Sequence, residues 1–130
     1  HILTGQTILT LFFLNYLKLY KVLEEMNEIP EVGDKLPEII KKYKIVIVDC
    51  WAEWCIPCKA VEEILKRLQR KFKNVYMCKL NVDENQELAS QYGVLNLPTI
   101  LIFHNGKEEY RFTGAPSDLS RKLIQILSKY

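Results

Sequence analysis

Apolar positions along the chain follow two periods, which predict alternating strands and helices. Residues 45–50 form a nearly continuous β-branched run, which is typical of a buried strand. From Val61 to Phe72, apolar side chains recur every three or four residues, and this spacing predicts a helix. Residues 74–82 resemble a second strand. A strand–helix–strand order predicts a parallel pair joined by a right-handed crossover.

Two later apolar runs, 99–103 and 108–112, predict another pair of strands. Asn105-Gly106 lies between them, and this dipeptide is the strongest short signal for an antiparallel hairpin. Further helices are predicted at 33–43 with Asp34 as the N-cap, at 83–92 ending at Gly93, and after the turn 116–118. These elements predict an α/β fold in which helices cover both faces of a central mixed sheet.

Residues 1–30 have a different pattern and are treated as an N-terminal extension to a domain formed by residues 31–130. Between Thr7 and Met26, polar residues at helical spacing interrupt a sequence rich in Leu, Phe and Tyr, which predicts an amphipathic helix. The segment is too charged for a membrane span and does not match a secretory signal. We expect its apolar face to pack on the domain or on a second copy, which would give a homodimer. An interfacial or partner-docking helix is the alternative.

Composition narrows the class of protein. The 130 residues are enough for one domain with one core. A net charge of +2 argues against nucleic acid or another polyanion as a partner. The 4 cysteines are too few for a disulfide framework, and two of them form a Cys-x-x-Cys pair. A small number of cysteines with one closely spaced pair indicates redox or metal chemistry.

The Cys-x-x-Cys pair, Cys55 and Cys58, lies where the first strand runs into the helical pattern. The partial positive charge of a helix N-terminus favours a thiolate, so Cys55 is the expected nucleophile and Cys58 the resolving thiol. The same spacing could supply half of a zinc site. The only candidates for two further ligands are Cys50, Cys78, His1 and His104. No second pair among them has ligand spacing, so a redox pair is favoured and no metal is expected.

Two motifs together are similar to those of the thioredoxin family. Residues 51–59, Trp-Ala-Glu-Trp-Cys-Ile-Pro-Cys-Lys, follow Asp49 and resemble the thioredoxin active site. Residues 93–99, Gly-Val-Leu-Asn-Leu-Pro-Thr, resemble the segment that faces it. The resemblance covers roughly residues 39–127. It implies a thioredoxin fold and a thiol–disulfide oxidoreductase that reduces protein disulfides. It also implies no bound cofactor beyond the redox-active disulfide, and a thioredoxin reductase as partner. Because the sequence shows no clear signal peptide, we expect the protein in the cytoplasm, where thiols stay reduced.

The resemblance also implies roles for individual residues. Asp49 would be a buried carboxylate beneath Cys58 that takes its proton, with a pKa raised by burial and Lys79 facing it. The plainer alternative is a surface aspartate at a strand end. Pro98 would have a cis peptide bond rather than the ordinary trans one, and Trp51 would lie in the core beneath the loop. The implied substrate-binding surface consists of Trp54, Ile56, Pro57, Leu97, Thr113, Gly114 and Ala115.

The chain departs from the family pattern at three places. Ile56 stands where thioredoxins usually have glycine, which adds bulk beside Cys55. Pro30 lies where the family has its first edge strand, and because proline lacks an N–H we predict a short or absent strand. The N-terminal extension is the third departure. Cys50 and Cys78 are expected to be buried free thiols that behave like apolar side chains. The alternative is a second disulfide between them, for which the geometry between neighbouring parallel strands is unfavourable.

Two alternatives to a reductase stay open at this point. An oxidase or isomerase of the same fold would differ in reduction potential, which sequence does not determine. A non-catalytic docking module would use the N-terminal helix to oligomerise or to bind a complex.

Overall fold

A computed structural model describes residues 4–130, except for the side chains of Glu25 and Met26. Its strands are β1 (Ile45–Trp51), β2 (Tyr76–Asn81), β3 (Thr99–His104) and β4 (Lys107–Thr113). They form one sheet in the order β2-β1-β3-β4, in which β1 runs parallel to β2 and antiparallel to β3, and β3 runs antiparallel to β4. The predicted mixed sheet is confirmed.

Helices cover both faces of this sheet, as predicted. In chain order the helices are α1 (Gly5–Met26), α2 (Leu36–Lys42), α3 (Ile56–Lys71), α4 (Gln86–Gln91) and α5 (Leu119–Leu127), and α1 is not among those that cover the sheet. Ile45 and Ile47 of β1 pack on one face with the buried sides of α3 and α5. Val46 and Val48 pack on the other face with the buried side of α2. Strand β1 is buried on both faces, which explains why its sequence is apolar apart from Asp49.

Of two predictions made from local sequence, the hairpin turn is confirmed and the helix cap is wrong. Asn105 and Gly106 both have positive φ, 52° and 82°, as the primed turn of a two-residue hairpin requires. The prediction that Asp34 caps a helix is wrong. Asp34 lies inside a 3₁₀ turn, Gly33–Lys35, and α2 begins after Lys35 without a side-chain cap.

The predicted weak edge strand is reduced to one parallel bridge between Glu31 and Lys79. The N–H of Lys79 donates to the Pro30 carbonyl at 2.9 Å, and the N–H of Val32 donates to the Lys79 carbonyl at 3.1 Å. The backbone at Pro30 can accept a hydrogen bond but cannot donate one, so the ladder does not extend further.

Helix α1 does not pack on the domain in the way we expected. All its described side chains are exposed, including twelve large apolar ones from Ile8 to Leu23. Polar contacts tie the segment that follows it to α3, with Lys66 paired to Glu28 at 3.4 Å and Gln69 donating to the Asn27 carbonyl at 3.2 Å. Across residues 4–130, no helix has the length and apolar character that a membrane crossing requires.

Candidate active site

The two cysteines of the Cys-x-x-Cys pair lie between the end of β1 and the start of α3. Cys55 is the N-cap residue of α3, and its N–H donates to the Ala52 carbonyl at 3.1 Å. Cys55 and Cys58 are joined by a disulfide, with their Cα atoms 5.4 Å apart, and both are buried. Pro57 is tolerated in the first turn of α3 because the N–H groups there lack helical partners. The sequence thus places a dithiol–disulfide pair at a helix N-terminus.

The zinc alternative finds no support in residues 4–130. No group of three or more His, Cys, Asp or Glu side chains within that range could hold a metal ion. Cys50 and Cys78 are buried free thiols on the α2 face of the sheet, as expected, and burial raises the pKa of both. His104 is bound to Glu109 at the hairpin, and His1 lies outside the described residues.

Asp49 is the buried carboxylate beneath the disulfide. It is 1% exposed and lines a cavity of about 230 Å³ together with Cys55 and Cys58. Neither of its oxygens has a hydrogen-bond partner among the described residues. The pKa of Asp49 is raised from 3.8 to about 7, chiefly by loss of hydration and next by the Glu62 carboxylate, while the Lys79 ammonium opposes the rise. A carboxyl with this pKa can take up or release a proton near neutral pH.

Lys79 lies beside Asp49 on the neighbouring strand, but its ammonium binds a different acid, Glu62. The two residues are register partners on β1 and β2, so their side chains share a face. The ammonium of Lys79 lies 2.8 Å from Glu62 Oε1 on α3 and 4.6 Å from the centre of the Trp51 ring. Trp51 Nε1 in turn donates to Glu31 Oε1 at 2.7 Å. Trp51 is half-buried and lines the cavity, so the prediction that it lies in the core is wrong.

The loop before β3 holds Pro98 at the same edge of the sheet. The Leu97–Pro98 bond is cis, as the resemblance implies. Thr99, the next residue, pairs with Cys50 near the end of β1, so Pro98 lies close to the strand end that leads to the disulfide. Two hydrogen bonds fix this loop, from Thr99 Oγ1 to the Asn96 carbonyl at 2.6 Å and from the Gly114 N–H to the Pro98 carbonyl at 2.7 Å.

Exposed apolar side chains surround the disulfide. Trp54 is 67% exposed, and its indole N–H donates to Asp83 Oδ2 at 2.9 Å. Ile56 and Leu95 are 79% and 89% exposed. A groove of about 370 Å³ runs between Trp54 and the loop before Pro98. Pro57, Thr113 and Ala115 are exposed, and Leu97 and Gly114 are half-buried.

Sequence reasoning did not select Glu62, Glu31, Asp83 or Leu95 for this site. Glu62 pairs with Lys79, Glu31 accepts the indole N–H of Trp51, and Asp83 accepts the indole N–H of Trp54. The i+4 spacing of Glu62 from Cys58 places both on one side of α3, which is the only local signal for any of the four.

The fold and this site define a class of protein. A disulfide at a helix N-terminus, above a buried carboxyl and beside a cis-proline loop, is the arrangement of a thiol–disulfide oxidoreductase.

Comparisons with known proteins identify the family. The thioredoxin family model matches residues 29–129, so the chain belongs to the thioredoxin family. A thioredoxin from Pseudomonas aeruginosa is 41% identical over 81 residues, which cover 62% of this chain and 75% of that protein. A thioredoxin from Rickettsia typhi is 42% identical over 88 residues, covering 65% and 80%. The chain is thus a thiol–disulfide oxidoreductase with protein-disulfide reductase activity.

Solved structures agree with this assignment. A mutant thioredoxin from Halobacterium salinarum, 29% identical, superimposes with a TM-score of 0.72 and covers 80% of this chain and 91% of its own. Plasmodium falciparum thioredoxin, 27% identical, gives a TM-score of 0.70 over 78% of this chain and 98% of its own. The predicted thioredoxin fold is therefore confirmed.

Proposed function

We propose that Cys55 is the attacking thiol and Cys58 the resolving thiol in the reduction of protein disulfides. The Cys55 thiolate attacks one sulfur of the substrate disulfide, forms a mixed disulfide and releases the other substrate sulfur as a thiolate. The Cys58 thiolate then attacks Cys55 Sγ, which releases the second substrate thiolate and leaves the Cys55–Cys58 disulfide. Two electrons pass from this chain to the substrate. The observation that carries the proposal is the disulfide at the start of α3.

Asp49 is assigned to the second step. Its carboxylate accepts the proton of Cys58 as that thiol attacks, and a pKa of about 7 makes it ionised often enough at neutral pH to do so. Its burial in the cavity that Cys58 also lines supports the assignment. Lys79 and Trp51 line the same cavity as Asp49, where the Lys79 ammonium favours the ionised carboxylate.

The substrate is held as an extended segment along the loop at Leu97 and Pro98. Leu97 retains its backbone N–H and carbonyl for pairing with such a strand, whereas Pro98 offers no donor. Trp54, Ile56 and Pro57 on one side, and Thr113, Gly114 and Ala115 on the other, would form the apolar surface around it. Their exposure around the disulfide favours this docking position.

The reductase assignment is tested by insulin reduction with dithiothreitol as electron donor. Cys55→Ser is expected to abolish the activity, because serine is not a nucleophile toward disulfides at neutral pH. Cys78→Ala, which removes a buried thiol from the opposite face, is the control and is expected to retain it. Full activity in Cys55→Ser would eliminate the mechanism. Equilibration with glutathione separates a reductase from an oxidase, whose couple would lie at a higher potential.

The resulting disulfide must be reduced again by a partner. A thioredoxin reductase in the cytoplasm fits this requirement, since thiols are kept reduced there. Stoichiometric NADPH oxidation in the presence of such a reductase and insulin is the expected result. Failure of several thioredoxin reductases to reduce the Cys55–Cys58 disulfide would contradict this pairing.

We also propose that α1, in the N-terminal extension of residues 1–30, joins two copies of the chain. The helix is about 33 Å long at 1.5 Å per residue, and twelve large apolar side chains on it are exposed. Burying roughly 70 Å² of each would remove at most about 800 Å² per partner, because the twelve side chains are spread around the helix, and a standard interface buries about that area. Sedimentation is expected to show dimers that become monomers when residues 1–25 are removed. Monomers in both cases would refute the proposal.

A further inference from the structure

Lys79 is the cation on β2 that lies nearest Asp49 in the strand register, and it is paired with Glu62. Lys79 is the register partner of Asp49 on the adjacent strand, a position from which its ammonium could bind that carboxylate. It binds Glu62 instead, at 2.8 Å, and both oxygens of Asp49 stay without a partner among the described residues. The side chains of Lys79 and Glu62 are only 18% and 24% exposed, so water screens this pair less than a surface pair.

One further contact, with the Trp51 ring, fixes the position of Lys79. Its ammonium lies 4.6 Å from the centre of the Trp51 ring, within the range of a cation–π contact. The indole is fixed by Glu31, whose second oxygen accepts the Asn81 N–H at 2.8 Å. With both oxygens of Glu31 engaged, Trp51 supports Lys79 in the orientation that Glu62 selects.

We propose that Glu62 is a positioning residue whose carboxylate binds the Lys79 ammonium and so prevents that cation from becoming the counter-ion of Asp49. The inference rests on the proposed role of Asp49 as the proton acceptor for Cys58. A cation bound directly to Asp49 would stabilise its ionised form and make it a weaker base. Glu62 keeps the acid basic enough for the resolving step without touching the substrate.

The other charged groups around Asp49 do not replace Glu62. The groups that face the cavity are the disulfide, Lys59 and Glu62 on α3, Lys79 on β2, Glu53 in the loop before α3, and Glu31 through its effect on Asp49. The negative charges of Glu62 and Glu31 both disfavour a second ionised carboxylate nearby, and Lys79 is the cation that opposes them. Of these acids, Glu62 is the one in an ion pair with that cation.

The test is an NMR titration of the Asp49 side-chain carboxyl in the oxidised protein, in which Cys55 and Cys58 do not titrate. Glu62→Gln is expected to lower the pKa of Asp49 by about one unit, the lower end of the effect of a nearby opposite charge. Glu63→Gln is the matched control, because Glu63 is exposed on the same helix and pairs with Lys66 at 3.6 Å, away from the cavity. This control is expected to leave the titration of Asp49 unchanged.

Two further variants separate positioning from a general effect of charge. Lys79→Met is expected to raise the pKa of Asp49 above that of the unaltered protein. If Glu62 acts by holding Lys79, its removal has no effect once Lys79 is gone, so the double variant Glu62→Gln/Lys79→Met is expected to titrate like Lys79→Met. A Glu62→Gln titration that matches Glu63→Gln would overturn the proposal, as would a double variant whose Asp49 pKa lies below that of Lys79→Met by the full shift of Glu62→Gln.

The titration is independent of the reductase assignment, because it uses neither substrate nor free thiols. If the protein failed to reduce insulin, the effect of Glu62 on the Asp49 titration could still be measured. If Glu62→Gln left the titration unchanged, the reductase assignment would be unaffected. In the reductase assay, the acid limb of the rate–pH profile of Glu62→Gln is expected to move to lower pH by the same amount as the Asp49 titration.

Discussion

Replacing Asp49 with asparagine should stabilise the oxidised protein in a pH-dependent way. The acid has a pKa of about 7 in the folded state against 3.8 as the unperturbed value, a difference of about 3 units. At about 1.4 kcal/mol per unit, the ionised acid costs the folded state about 4 kcal/mol once the pH exceeds both values.

The sign follows from which state binds the proton more tightly. Below pH 3.8 Asp49 is protonated in both the folded and unfolded states, so its ionisation does not affect stability. Between pH 3.8 and 7 the unfolded chain loses the proton first, and stability falls as the pH rises. Above pH 7 the penalty is constant. The asparagine amide of the Asp49→Asn variant does not titrate, so the variant should lack this loss.

Urea unfolding of both oxidised proteins at pH 4, 5.5 and 8 measures the effect. The free energy of unfolding of Asp49→Asn minus that of the unaltered protein should rise by about 4 kcal/mol from pH 4 to pH 8, with roughly half of the rise reached by pH 5.5. Because the cost of burying the asparagine amide is the same at every pH, it does not affect the change of this free-energy difference with pH. Glu63→Gln, whose side chain is 70% exposed, should show no such rise. A difference that stayed constant across these pH values would refute the reasoning.

Three further changes test the fold and the docking surface. Leu65→Ala should cost about 2–5 kcal/mol in urea unfolding, because Leu65 is fully buried between α3 and the sheet. Gly106→Ala should cost about 1 kcal/mol in the same assay, since its φ of 82° favours glycine, and an unchanged midpoint would contradict that turn. Leu95→Asp should raise KM several-fold for protein disulfides with apolar flanks and leave kcat nearly unchanged. An equal fall in kcat would place Leu95 in the chemistry rather than in docking.

Features with short-range causes could be predicted from the sequence. Asn105-Gly106 predicts its own turn, because few other dipeptides adopt positive φ at both positions. The burial of Asp49 follows from its place in a strand that is apolar on both faces. Helix α4 was predicted too long, since Asn81 accepts the N–H groups of Asp83 and Glu84 and forms a turn before the helix begins at Gln86.

Features that depend on packing between distant elements could not be predicted in this way. Helical periodicity assigns Glu62 and Glu63 alike to the polar side of α3. Only the packing of α3 on the sheet brings Glu62 to Lys79 and leaves Glu63 exposed. Leu95 lies in a loop without periodicity, so its 89% exposure follows from the path of the chain between α4 and β3.

The stability cost of Asp49 and its chemical use have the same physical origin. Its oxygens are the buried side-chain polar atoms that lack a hydrogen-bond partner within the described part of the chain. A partner for either oxygen would stabilise the ionised acid, lower its pKa and recover part of the roughly 4 kcal/mol. The same partner would weaken Asp49 as a base toward Cys58. A variant that places a donor in the cavity beside Asp49 should therefore gain stability above about pH 7 and lose rate in the resolving step.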